Sequence, residues 1–274
     1  MVSHISESTM LANGVKMPWL GYGVYKVEDG EEVVNSVKAA LEAGYRGIDT
    51  AAFYKNEAGV GRAIKESGIP RDELFITTKV WNDRQGYEET LKSFEESREK
   101  LGLDVVDLFL VHWPVSGKYK DTWRALEKLY KDGAVRAIGV SNFKEHHLED
   151  LMATSEITPM VNQVEFHPRL VQKDLLKYCQ ERNIQLEAWG PLMRAKILDH
   201  PTLMGLAEKY GKTPAQIVLR WELQLGVITI PKSVHEKRIK ENADVFDFEL
   251  ASEDMAKIEE LNQNERTGPD PDEF

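Results

Sequence analysis

The chain has 274 residues, with 35 Lys plus Arg against 46 Asp plus Glu, and its formal net charge of -11 excludes the basic footprint by which a protein holds nucleic acid. At 42% apolar and 30% charged residues it has a globular composition with enough length to bury a large core. A single cysteine, Cys179, excludes an intrachain disulfide, no Cys/His cluster has zinc-ligand spacing, and no run approaches the roughly 18 apolar residues of a membrane span.

The N-terminal residues carry no cationic stretch followed by an apolar one. Together these features set the expectation of a cytoplasmic protein that binds no metal, membrane or nucleic acid. The first element is a hairpin over Thr9 to Met17, signalled by Asn13-Gly14 between apolar pairs. A short apolar run, Trp19 to Val24, precedes a helix over Glu31 to Ala43, whose Val33, Val34, Val37, Ala40 and Leu41 share one face, with Gly44 as its stop. The same strand-then-helix unit recurs. Arg46 to Ala51 leads to Asn56 to Ser67, Leu74 to Val80 to Tyr87 to Leu101, and Val105 to His112 to Asp121 to Lys131. Val135 to Ser141 leads to Glu145 to Thr154, and Met160 to Phe166 to Lys173 to Arg182. Gln185 to Leu192 is followed by two helical stretches, Pro201 to Tyr210 and Pro214 to Leu225. Val227 to Pro231 is followed by Glu236 to Ala243 and a last helix, Ser252 to Leu261. The acidic segment from Pro269 to Phe274 reads as a loosely held surface tail.

Eight strand-like runs that alternate with helices predict a parallel (β/α)₈ barrel, an α/β fold of about 250 residues, with residues 1–274 as one domain. An open Rossmann sheet would need Gly-x-Gly-x-x-Gly after a strand. Gly21-Tyr22-Gly23 and Gly59-Val60-Gly61 both lack the third glycine, and no Walker-type Gly-Lys-Ser/Thr occurs.

A barrel places its active site at the C-terminal ends of its strands. The polar residues there are Asp49, with Tyr54 just beyond it, Lys79, His112, Ser141-Asn142, then Asn162, Gln163 and Glu165 on the sixth run and Lys232-Ser233 after the eighth. Each has an ordinary explanation alone, as a cap, a rim aromatic or a solvated charge. An acid, a phenol, a lysine and an imidazole at three neighbouring strand ends form a working group. A phenol titrates near pKa 10, and an adjacent ammonium stabilises its phenolate. A carboxylate holds that lysine charged, so the phenol can give a proton to a carbonyl oxygen while His112 positions or polarises that oxygen.

In these residues the chain resembles the aldo-keto reductases. The resemblance rests on Gly47-Ile48-Asp49-Thr50-Ala51, Tyr54-Lys55-Asn56-Glu57, Thr78-Lys79-Val80-Trp81, Val111-His112-Trp113-Pro114, Gly139-Val140-Ser141-Asn142-Phe143, Asn162-Gln163-Val164-Glu165 and Ile230-Pro231-Lys232-Ser233, in the family's order over essentially the whole chain. It implies a catalytic tetrad of Asp49, Tyr54, Lys79 and His112, with Tyr54 as general acid, and hydride transfer from a reduced nicotinamide to an aldehyde or ketone. By the same resemblance Ser141, Asn142 and Gln163 hold the carboxamide and the ring stacks on Trp189, where the family more often has tyrosine. Gly190, Pro191 and Leu192 lie near the pyrophosphate, and Lys232, Ser233, Val234, Arg238, Glu241 and Asn242 surround the adenosine end. Tyr25, Phe53, Trp81 and Trp113 join His112 at the substrate end.

Charge adds an independent argument. Within a chain of net charge -11, Lys232, Lys237, Arg238 and Lys240 make a local cationic patch at a helix start, which suits a 2′-phosphate and favours NADPH over NADH. The short tail and the 119–142 segment resemble prokaryotic glyoxal/methylglyoxal reductases and 2,5-diketo-gluconate reductases. The expected activity is reduction of small aldehydes and dicarbonyls by a monomer, with a keto-sugar reductase as the alternative, and the short tail leaves selectivity loosely constrained. Two other readings are a cofactor-binding regulatory subunit of the potassium-channel β type and a lyase with Lys79 as Schiff-base nucleophile.

Overall fold

The computed structural model describes residues 1–274. Strands β1 (Ser8–Met10) and β2 (Lys16–Pro18) form the antiparallel hairpin, with Gly14 at φ 86 in its turn. Asn13 donates to the Arg136 carbonyl and Thr9 to the Gln185 side chain, so the hairpin lies across the N-terminal ends of barrel strands.

The barrel consists of β3 (Gly21–Gly23), β4 (Gly47–Asp49), β5 (Phe75–Val80), β6 (Val106–Val111), β7 (Val135–Ser141), β8 (Val161–Glu165), β9 (Gln185–Trp189) and β10 (Ile228–Thr229). Each is parallel to its neighbour in chain order. The seam closes between β10 and β3, where Leu20 pairs with Thr229, Thr229 N donates to Trp19 O at 3.2 Å and Gly23 N to Pro231 O at 3.2 Å. Closure satisfies the edge groups that an open sheet would expose.

The strands are largely apolar because they are covered on both faces, Phe75–Val80 and Val106–Val111 being buried at every position, the polar Thr77, Thr78, Lys79 and Asp107 included. Around them run α1 (Glu31–Glu42), α2 (Glu57–Ser67), α3 (Tyr87–Leu101), α4 (Tyr119–Lys131), α5 (Glu145–Met152), α6 (Lys173–Glu181), α7 (Pro201–Tyr210), α8 (Pro214–Gln224) and α9 (Glu236–Ala243), with α10 (Ser252–Glu259) after the last unit. Every expected strand and helix is present within a few residues. The run Gln185 to Leu192 stops as a strand at Trp189, because Gly190 turns the chain at φ 62. No helix is long and apolar enough to cross a membrane.

Gly139 shows how tightly the layers meet. A Cβ there would lie 2.5 Å from the Val161 carbonyl oxygen and 2.9 Å from Leu110 Cδ2. Gly139→Ala must move the β7–β8 pairing, and we expect a loss of roughly 1–3 kcal/mol, read as a lower urea midpoint.

Candidate active site

Strand ends place three of the four central side chains, and the turn after β4 places the fourth. Asp49 closes β4, Lys79 lies near the end of β5, and His112 follows β6 directly, all three buried. Tyr54 comes from the short turn Ala52–Tyr54, which the left-handed Lys55 (φ 56) ends. Lys79 Nζ donates to Asp49 Oδ1 at 2.6 Å, Thr50 O at 3.1 Å and the Tyr54 hydroxyl oxygen at 3.1 Å. An ammonium has three hydrogens, so all are spent. The Tyr54 oxygen accepts one of them, and its own hydrogen is left to be given elsewhere.

Burial alone would push the Lys79 ammonium down, but Asp49 and then Tyr54 outweigh it and hold the lysine charged above its ordinary range. A charged amine is no nucleophile, which disfavours the Schiff-base reading. For Tyr54 the balance corrects the expectation from sequence. Burial pushes the phenol up, the Lys79 charge pulls it down only in part, and the net direction is upward. Burial, then the Lys79 charge, pushes His112 well below its ordinary value, so the imidazole is neutral at pH 7. Its Nδ1 is enclosed without a partner, and we therefore assign the single ring proton to Nε2, the nitrogen open to the pocket.

A second set of side chains adjoins these. Asn142, left-handed at φ 65, donates through Nδ2 to the His112 carbonyl at 3.0 Å and to Ser141 Oγ at 3.2 Å, and its Oδ1 accepts from Trp189 Nε1 at 2.8 Å. Ser141 Oγ donates to the Gln163 carbonyl at 2.7 Å. Gln163 spends its amino group on Asp49 Oδ2 at 2.7 Å and Glu187 Oε2 at 3.1 Å, which leaves its Oε1 for an outside donor. The structure thus brings Ser141, Asn142, Gln163 and the half-buried Trp189 together beside His112.

Gly190, Pro191 and Leu192 follow, and then Met193, Arg194 and Ala195 are all left-handed at φ 50, 54 and 68. For non-glycine residues this strain of about 1 kcal/mol or more each marks a constrained segment at the site's edge. Farther round, Lys232, Lys237 and Arg238 are exposed and pair with no acid, and the nearly buried Asn242 amide pairs with no protein group. Lys240 does not join them as expected, because Glu236 one turn earlier takes its ammonium at 2.6 Å. Glu241 accepts from Thr213, and the Ser233 carbonyl from Tyr22, while Val234 is half-buried.

The mouth is aromatic. Phe53 stacks on Trp81 at 3.8 Å between centroids, Tyr25 lies 5.1 Å from Tyr54, and Trp81 meets His112 edge-on at 5.1 Å. Trp113 carries on its face a residue that sequence reasoning missed, Phe274, stacked at 4.3 Å.

The tail that brings Phe274 there is tied down, contrary to the expectation of a loose segment. Glu165, buried on β8, accepts from Thr267 N at 2.7 Å, Thr267 Oγ1 at 3.0 Å, Gly268 N at 2.9 Å and His167 Nε2 at 2.7 Å. Lys144 Nζ pairs with Asp270 at 2.7 Å and Asp272 at 2.5 Å, and His146 Nε2 lies 2.7 Å from Asp272. These partners come from positions more than a hundred residues earlier, which an acidic composition does not reveal.

His146, His147 and Asp272 have their polar atoms close enough for a cation, yet the hydrogen bonding argues otherwise. His147, whose imidazolium is pushed down to about 4 by burial and then by His146, accepts from Lys144 N at Nδ1. Its proton therefore sits on Nε2, the atom facing Asp272, and the trio is a polar latch rather than a ligand set.

Burial pushes the Glu165 carboxyl up, but hydrogen bonds from His167, Thr267 and Gly268 together hold it below its ordinary value. A depressed carboxyl contributes stability above its unfolded pKa of about 4.3 and loses it as pH falls through the lower folded value. Hydrogen exchange should therefore show Thr267 and Gly268 protected at neutral pH and released below about pH 4, and Glu165→Ala should release them at all pH values.

The family model described as "Aldo/keto reductase family" matches residues 19–263. The glyoxal reductase of Bacillus subtilis is 64% identical over 274 residues, covering 100% of this chain and 99% of that one. A methylglyoxal reductase of Escherichia coli is 46% identical over 268 residues, covering 96% of each. The crystal structure of a Bombyx mori aldo-keto reductase in complex with NADP superposes with a TM-score of 0.92 at 37% identity, covering 99% of this chain and 97% of that one.

Proposed function

Because the chain belongs to the aldo/keto reductase family, we propose that this carbonyl reductase uses NADPH to turn small dicarbonyl aldehydes, such as glyoxal and methylglyoxal, into hydroxy compounds. The observation that carries the reading is the Tyr54 hydroxyl, whose oxygen is occupied by Lys79 and whose hydrogen is free, beside a neutral His112 at the base of an aromatic mouth.

The residues fit the cofactor on their own chemistry. Gln163 Oε1 and the Ser141–Asn142 pair offer polar atoms for a carboxamide and Trp189 a ring to stack on, while the family resemblance alone implies that residues 190–192 would lie near the pyrophosphate. Lys232, Arg238 and the unpartnered Asn242 amide would hold the adenosine 2′-phosphate end, with Ser233, Val234 and Glu241 around them. When bound, the reduced nicotinamide supplies the hydride. Tyr54 gives its proton to the carbonyl oxygen as carbon is reduced, Lys79 stabilises the phenolate left behind, and His112 Nε2–H orients the same oxygen.

Phe274 on Trp113 and Phe53 on Trp81 face the mouth with aromatic rather than polar surface, which supports small aldehydes over polyhydroxylated keto-sugars. All of these groups come from one chain, so we propose a working monomer, in the reducing cytoplasm that suits the free, buried Cys179. NADPH consumption across methylglyoxal, glyoxal, nitrobenzaldehyde, sugars and keto-gluconates tests the reading: kcat/KM highest for the two dicarbonyls supports it, and highest for keto-gluconates overturns it. For the cofactor, Arg238→Ala should raise the KM for NADPH about tenfold or more with little change for NADH, as loss of a charge-assisted contact of about 1.5–3 kcal/mol implies. An equal rise for both would remove the 2′-phosphate contact from the account.

A further inference from the structure

A third carboxyl lies beneath the tetrad. Glu187, on β9 and 1% exposed, is paired in register with Gln163 on β8. The single Gln163 amino group bridges the two acids, at 2.7 Å from Asp49 Oδ2 and 3.1 Å from Glu187 Oε2. The charged groups acting on Glu187 are Asp49 from β4 and Lys79 from β5, while β8 supplies the neutral amide and β10 the apolar Ile228 opposite it in register.

The charge count decides its state. Lys79 is the one cation of the cluster, and Asp49 already holds it at 2.6 Å. A second carboxylate there would be buried with a lone amide N–H for compensation, an expensive arrangement that a carboxyl avoids by keeping its proton. Burial, and then the Asp49 charge, push the Glu187 carboxyl upward against the opposing Gln163 hydrogen bond and Lys79. A cavity of about 10 Å³ lined by Asp49, Thr77 and Glu187 has room for about one water to receive that acid's hydrogen.

We propose that Glu187 is a further positioning residue for carbonyl reduction: a buried acid, protonated while the enzyme works, whose neutrality leaves the Lys79 charge free to stabilise the Tyr54 phenolate. This rests on Tyr54 as the proton donor. When Glu187 ionises, its negative charge opposes Lys79 and makes Tyr54 a weaker acid, so the protonation state of β9 is felt at the barrel mouth through Gln163 and Asp49.

Two measurements that need no substrate test the proposal, so its failure is distinct from failure of the dicarbonyl reading. At pH 7 the infrared spectrum of the wild type should contain a carboxylic-acid carbonyl band that Glu187→Gln lacks. Absence of any difference means Glu187 is ionised and overturns the proposal. Second, ultraviolet difference absorbance should follow tyrosinate formation at Tyr54, with Tyr54→Phe as the blank. Glu187→Gln should shift that titration down by about one pH unit, the effect of deleting a nearby buried charge. Superimposed titrations overturn the positioning role even if the infrared band is lost. Should Glu187→Gln not fold, Glu187→Asp replaces it, with the carbonyl band shifted and the Tyr54 titration displaced, and the same null result counts against the proposal.

Discussion

Tyr54→Phe should lower kcat for carbonyl reduction by about 10²–10⁴ while the protein folds normally and still binds NADPH. The size follows from what is removed. The variant keeps the ring that packs 5.1 Å from Tyr25 and 5.8 Å from His112, and loses only the oxygen that accepts from Lys79 and the hydrogen it donates. His112 still carries a ring N–H, but a neutral imidazole whose protonated form is strongly disfavoured can orient an oxygen without replacing the lost proton donor. NADPH binding, followed as quenching of tryptophan fluorescence, should be unchanged within about twofold, which separates a chemical loss from a binding loss. Wild-type turnover in this variant would transfer the acid role to another group, and parallel loss of binding and turnover would make Tyr54 part of the cofactor site instead.

The barrel was legible because parallel strands covered on both faces read as short, largely apolar runs, and the strands found lie within the runs expected. The same rule exposed the candidates for chemistry. Asp49, Lys79 and His112 stand out because they fall at or next to the C-terminal ends of largely apolar runs, and closure of the barrel then brings them together across separations of 30 residues and more.

Glu187 and Glu165 were less visible for the opposite reason, since each lies inside a strand run where a side chain's facing and partners depend on register. An acid within a buried parallel strand was itself a signal of an unusual partner. Phe274 and its latch could not be seen at all, because Lys144, His146 and Glu165 meet the tail only in three dimensions. The direction of the Tyr54 balance was also beyond the sequence: proximity of a lysine is suggested by spacing, whereas the depth of burial that opposes it is a property of the finished fold.

Lys79→Met should be costly twice over, in activity and in stability, and the two losses should separate on pH and on a second substitution. The substitution fills the space of an entirely buried side chain but leaves Asp49, 3% exposed, without its counter-ion and with only the Gln163 N–H at 2.7 Å. Removing one partner of a buried pair costs about 3–5 kcal/mol, because the other charge stays desolvated. The cost is that of a bare buried carboxylate, so it is absent where acid neutralises the carboxyl and grows as pH rises and the folded protein must hold the uncompensated charge. The gap in urea midpoint between variant and wild type should therefore be wide at pH 8 and narrow below about pH 4. Adding Asp49→Asn should recover most of the stability at pH 8, since it removes the uncompensated charge and leaves a neutral amide of the same shape, yet restore no activity, because the phenolate of Tyr54 still lacks its cation. A loss equal at both pH values, and unrelieved by Asp49→Asn, would assign the cost to packing and take the Asp49–Lys79 pair out of the electrostatic account.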